Sequence, residues 1–199
     1  YPCRPAPASV VLDGKLDEWQ GLPLTTGLQP LIIGPTGQWQ GPGDASLEFT
    51  LAHDDKMLYC AGEVTDDAVI ADDTLEFRLD PRPIEIRKAN TRIDKGTYHV
   101  QIGSLQQGAT ATLKVKGASD LPGAIIAARP SAKGYTSELA IPIDVLTKSQ
   151  TVDWRGFQIS GVVNDVDQPN ETRARIVWRG SNDIDTSNFG YGQIVRSPQ

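Results

Sequence analysis

Histidine, cysteine and methionine are scarce in this chain, and each scarcity removes a class of chemistry. Two histidines, His53 and His99, leave few candidate bases for a histidine-dependent triad, and no Gly-x-Ser-x-Gly elbow is present. Two distant histidines and two distant cysteines lack the spacing of a zinc site. The only methionine, Met57, lies beside the His53 turn and reads as a core filler rather than a haem ligand. No apolar run approaches the ~18 residues of a membrane-crossing helix, so membrane insertion is not expected. Lys and Arg number 19 against 25 Asp and Glu, and the formal charge of −6 disfavours nucleic acid as a partner. Sugars, cations and other proteins remain open.

What is present is alternation with period two. Leu47, Phe49 and Leu51 share one face of a strand, with Glu48 and Thr50 on the other. Leu75, Phe77 and Leu79 alternate in the same way with Thr74, Glu76 and Arg78. Further strands are expected at 98–102, 111–115, 125–128 and 157–164, and the run Ala174, Ile176, Trp178 alternates near the end. Turn clusters such as Gly34-Pro35-Thr36-Gly37 and Gly41-Pro42-Gly43-Asp44 separate them. A helical turn is expected only at Pro142 to Leu146; Gly14 and Gly21 argue against a helix over Val10 to Gly21. With 199 residues, 39% hydrophobic and 22% charged, the chain suits one well-buried core. The expected fold is all-β: a two-sheet antiparallel, jelly-roll-like sandwich of about ten strands with minimal helix. A proline-rich segment, 1–9, precedes a single domain, 10–199.

The chain starts Tyr1-Pro2-Cys3 without Met, as removal of a signal peptide or trimming would leave it. In an exported protein Cys3 and Cys60 could form one disulfide; otherwise Cys60 is a small buried apolar residue. Asn170-Glu171-Thr172 is a glycosylation sequon, relevant only to a eukaryotic secretory route. Asp66, Asp67, Asp72 and Asp73 offer the hard oxygen ligands that calcium prefers, or else form a solvated acidic loop. Glu76 and Arg78 share one strand face, as binding groups or as a surface pair. His53 reads as a solvated turn residue. A catalytic carboxylate pair depends on spatial separation that sequence does not give, and no catalysis is expected.

Several ordered motifs resemble the family 9 carbohydrate-binding modules. They are Val11-Leu12-Asp13-Gly14-Lys15-Leu16-Asp17-Glu18-Trp19, Trp39-Gln40-Gly41-Pro42-Gly43-Asp44-Ala45-Ser46, and Asp73-Thr74-Leu75-Glu76-Phe77-Arg78-Leu79-Asp80. The hairpin at Asp54 to Tyr59, the run Gly134 to Pro142, Val163-Asn164-Asp165-Val166-Asp167 and Asn188-Phe189-Gly190 continue the series.

The resemblance implies a secreted or cell-surface, non-catalytic module that binds carbohydrate, associated with a glycoside hydrolase and carrying structural calcium. In that family two tryptophans hold the sugar ring; aligned on Asp73-Thr74-Leu75-Glu76, those positions fall near Ile70 and at Asp167, neither aromatic. Glu76 and Asn164 match positions that hydrogen-bond sugar hydroxyls, and Arg92 falls near a family arginine. With Arg78 and Asp167 these are the expected ligand-binding residues. Trp154, in Val152-Asp153-Trp154-Arg155-Gly156, is the leading candidate for an exposed stacking platform, with Tyr191 a further aromatic; Trp19, Trp39 and Trp178 are expected in the core. A sandwich that lost the clamp and serves as a structural or interaction domain, with other protein chains as partners, is the rival expectation.

Overall fold

A computed structural model of the chain describes residues 1–22, 25–26, 30–89, 96–103, 106, 112–116, 121–150, 153–179 and 192–197. Thirteen strands run in chain order: β1 (Pro2–Pro5), β2 (Thr25–Thr26), β3 (Leu31–Ile33), β4 (Ala45–His53), β5 (Met57–Asp66), β6 (Thr74–Asp80) and β7 (Tyr98–Gly103), then β8 (Thr112–Lys116), β9 (Ile125–Ser131), β10 (Gly134–Pro142), β11 (Gly156–Asp165), β12 (Ala174–Val177) and β13 (Gly192–Arg196). Among the described residues, two short helices, α1 (Ile84–Ala89) and α2 (Asp144–Gln150), and one 3₁₀ turn at Asp17–Trp19 join the strands. The helical turn expected at Pro142 to Leu146 overlaps α2, whereas α1 was not read from the sequence.

The strands form two layers. One runs β8-β7-β6-β11, after which the long β11 pairs β13 at its start and β12 at its end, with β3 beyond β12. The other runs β4-β5-β10-β9, with β2 on β4. All these pairings are antiparallel. The exception is β1, which runs parallel to β13 in the first layer and parallel to β4 in the second. The fold is thus the expected all-β sandwich, with one strand stitching its layers together. That strand lies inside the segment 1–9.

The core fills the space between the layers. Phe49 of β4 meets Phe77 of β6 edge-on at 5.5 Å between ring centres and Trp178 at 4.9 Å. Leu75, Phe77, Leu79, Val100, Ile102, Ile159 and Val163 point inward from the first layer and are buried. Gly161 of β11 has no room for a side chain: a Cβ there would lie 2.7 Å from Leu47 Cδ2. The layers can approach this closely because that position is bare.

The opening motif is explained by a buried carboxylate. Glu138 of β10 is fully buried and accepts hydrogen bonds from the Asp13 and Gly14 backbone N–H groups at 2.9 and 2.6 Å and from Trp19 Nε1 at 2.8 Å. The Thr136 hydroxyl donates to the Gly14 carbonyl. Gly14 has φ +81°, a left-handed conformation natural to glycine, and a Cβ would press on Ala128 and Arg129. The turn therefore docks the N-terminal chain on the outside of the second layer.

Two sequence expectations are corrected. Cys3 and Cys60 are both buried free thiols, not a disulfide. Arg4 pairs Ala52 and Cys60 pairs Leu51, so β4 stands between the two cysteines. Two inter-strand steps of about 4.8 Å exceed the Cα separation that a disulfide spans. Burial pushes the Cys3 thiol up to about 12 and raises the Cys60 thiol as well, as befits core residues. His53 is not a solvated turn residue: it is buried at the end of β4, edge-on to Trp154 at 5.1 Å.

Candidate functional site

Pairing register decides which side chains share the outer face of the first layer. Thr74 lies opposite Asn164, Glu76 opposite Val162 and Arg78 opposite Ser160. On the other side Glu76 faces Gln101 and Arg78 faces His99, while Gln101 faces Lys114. Arg175 of β12 faces Asn164. Directly opposed residues project to the same side of a sheet, so these positions form one polar surface, back to back with the core face of Leu75 and Phe77.

Their side chains are joined. The His99 ring lies 2.6 Å from Glu76 Oε2, Arg78 Nη2 donates to the same oxygen at 3.1 Å, and the Gln101 amide donates to Glu76 Oε1 at 3.2 Å and to Thr74 at 3.1 Å. The Asn164 amide donates to Thr74 at 3.0 Å, and its oxygen accepts from Arg175 Nε at 3.2 Å. Glu76 is 2% exposed. Burial alone would raise its carboxyl, but the His99 hydrogen bond, the His99 charge and Arg78 together hold it down at about 2. Ser160 donates to the Arg179 carbonyl. Farther along β6, Asp80 and Arg82 form a buried pair through two side-chain hydrogen bonds and one from the Arg82 backbone N–H.

The expected ligand residues fall into three sets. Glu76, Arg78 and Asn164 come together in this network, joined by Thr74, His99, Gln101 and Arg175, which were not singled out from sequence. The period-two alternation of Tyr98 to Ile102 did put His99 and Gln101 on a common face. Trp154 is a correction: it is 2% exposed, packs against Phe157 and His53, and lies under the Arg196 guanidinium at 5.2 Å. It belongs to the core and offers no platform. Arg92 and Tyr191 lie outside the described residues. Trp19 and Trp178 are buried, and Trp39 is half-buried with its Nε1 on the Ala45 carbonyl.

Asp167 belongs elsewhere, in an acidic corner at the ends of β5 and β11. There the carboxylates sort into two groups. Asp66, Asp73 and Asp165 are all buried, with ligand atoms within 4.8 Å of one another; Asp44, Asp67 and Asp167 make a second, more open group. Of the four expected metal ligands, Asp66 and Asp73 fall in the inner group and Asp67 in the outer one. Asp72 is exposed and joins neither; its backbone carbonyl accepts from Arg173. Asp44 and Asp165 complete the groups from distant parts of the chain.

Burial first, then the neighbouring carboxylates, push Asp66 up to about 6 and Asp73 and Asp165 up to about 7. Asp66 Oδ2 and the Tyr135 hydroxyl are buried without a hydrogen-bond partner. Asp73 accepts from the Ile70 and Val166 backbone N–H groups and Asp66 from that of Ala68, but carboxylates this crowded and desolvated, with one oxygen unpartnered, fit a hard divalent cation.

An all-β sandwich with a polar network across one sheet face and an acidic corner beside it has the form of a binding module. The family model for carbohydrate family 9 binding domain-like proteins matches residues 12–195, and the chain belongs to that family. Its fold is similar to that of a family 9 carbohydrate-binding module from Caldicellulosiruptor kristjanssonii in complex with cellotriose, at 18% identity and TM-score 0.73 over 100% of this chain and 95% of that one. The glucose complex of a family 9 module from that organism gives 17% identity and TM-score 0.72, with 100% and 97% covered. A putative carbohydrate-binding protein from Bacteroides uniformis gives 10% and 0.59, with 99% and 98% covered. No curated protein matches the sequence.

Proposed function

We propose that this chain is a non-catalytic saccharide-binding module whose ligand engages the network around Glu76 and Asn164. The observation that carries the reading is the junction of Glu76, Arg78, His99, Gln101, Asn164 and Arg175 on one sheet face of a family 9 fold. Sugar hydroxyls both donate and accept, and such a set of carboxylate, amides and guanidinium groups meets both needs. The ligands in the two Caldicellulosiruptor structures, cellotriose and glucose, favour short glucan chains as the first to test. The module would work outside the cell, holding an attached glycoside hydrolase near its polysaccharide.

A structural calcium ion at Asp66, Asp73 and Asp165 belongs to the same proposal. The unpartnered Tyr135 hydroxyl and Asp66 oxygen support it. The cation would neutralise the corner and fix the ends of β5 and β11.

A second reading has its own support. The clamp positions that the resemblance implies fall near Ile70 and at Asp167, neither aromatic, and Trp154 is in the core. A sandwich without a stacking clamp can serve as an interaction domain in an extracellular assembly. A glycan array on the purified chain, with and without calcium, separates the two. Selective saccharide binding that Asn164→Ala abolishes supports the module; a blank array in both conditions removes it.

A further inference from the structure

The charge on the binding face has the opposite sign to that of the whole chain. Among its described residues Arg78, Arg175 and Lys114 stand against one carboxylate, Glu76, because Asp80 is already committed to Arg82. The chain as a whole carries −6. Arg175 is the least compensated of these cations. It is half-buried, its one hydrogen bond is from Nε to Asn164 Oδ1, and no carboxylate pairs with it among the described residues. Burial and then the Arg78 charge lower its proton affinity, against a smaller opposing pull from Glu76. Arg78 likewise has a buried Nε with no partner.

A guanidinium so placed has lost water without gaining a counter-charge, which a neutral hydroxyl cannot supply. A carboxylate can, and its two oxygens match the planar fork. The face also lacks the usual source of affinity for neutral sugars. From β12 across β11 and β6 to β8, the outward side chains of the described residues include no Trp, Tyr or Phe. Among the described residues the face offers charge-assisted hydrogen bonds in place of flat apolar area.

We propose that the ligand is an acidic saccharide, a glycan bearing hexuronate residues, and that the half-exposed Arg175 determines this specificity by pairing with the uronate carboxylate, held in place from below by the buried Asn164. This rests on the saccharide-binding reading above and narrows it to one class. Arg175 thus makes a carboxylate subsite positioned by Asn164, with Arg78 supplying field rather than contact.

The test is calorimetric titration of the whole chain with trigalacturonate, a glucuronate-bearing oligosaccharide, cellotriose and a sulfated disaccharide, at low and moderate salt. The uronates should bind about tenfold more tightly than cellotriose, the scale of one charge-assisted hydrogen bond. The preference should shrink with salt. Arg175→Gln should abolish it while Arg175→Lys keeps part, with thermal melts showing both variants folded. Equal affinity for cellotriose and trigalacturonate, or a preference that survives Arg175→Gln, overturns this inference and leaves the module reading standing. Preference for the sulfated sugar overturns the carboxylate assignment. Silence for all four sugars sinks this inference together with the module reading.

Discussion

Glu138 shows how one buried side chain can account for a whole sequence motif. Its carboxylate receives two backbone N–H groups and an indole N–H, all from the Leu12 to Trp19 stretch. Glu138→Ala would strand those donors and should cost about 3 kcal/mol, since each orphaned buried group costs roughly 1–3 kcal/mol. A denaturant titration measures this, and loss below about 1 kcal/mol would mean the turn is held by something else. The acidic corner yields a pH dependence. Asp66, Asp73 and Asp165 have folded pKa values of about 6, 7 and 7, above their ordinary value of 3.8. The folded state therefore holds more protons than the unfolded one between these limits, and stability should fall as pH rises from about 4 to 7. Millimolar calcium should flatten that fall and raise the melting temperature at pH 7.5. A melting temperature unmoved by calcium across this range would count against the cation.

At the scale of single elements, the sequence reports faces better than covers. The alternation in β6 sorts Leu75, Phe77 and Leu79 from Glu76 and Arg78, and the structure has these two sets on opposite faces. Alternation does not reveal that the polar set is itself buried, because period two records direction and not what lies above. Trp154 misleads for a related reason: its neighbours Asp153 and Arg155 are exposed, so the local sequence looks like a loop while the ring turns inward. Proline content hid β1, since Pro2 and Pro5 read as strand breakers yet sit at the two ends of a short strand where the ladder needs little from them. The position of β4 between Cys3 and Cys60 gives an element-level prediction. Both thiols should react with a thiol reagent once the non-reduced protein is denatured, and reductant should leave the melting temperature unchanged. Fewer than two reactive thiols would indicate a cross-link that this register forbids.

For the whole molecule, fold class and family are legible because they rest on many weak signals in order, spread from Val11 to Gly190. The sites were only partly legible. Asn164 and Glu76 stand out in the sequence only through the resemblance, the partnership of Arg175 with Asn164 depends on the β11–β12 register, and the inner acidic group joins residues as distant as 66 and 165. No local pattern announces such convergence; only topology produces it.

The stitch made by β1 also fixes how the chain would carry load. Pro2 opens β1 and Arg196 closes β13, and these two strands lie side by side in parallel, held by bonds between Tyr1 and Gln193, Val195 and Tyr1, and Ser197 and Cys3. Tension applied to the two ends slides one strand along the other, so these bonds share the force together rather than opening one after another. A domain anchored to a solid glycan by one face and pulled through its ends would meet that strain in shear, the geometry that resists rupture, with the lifetime under force set by the unfolding rate.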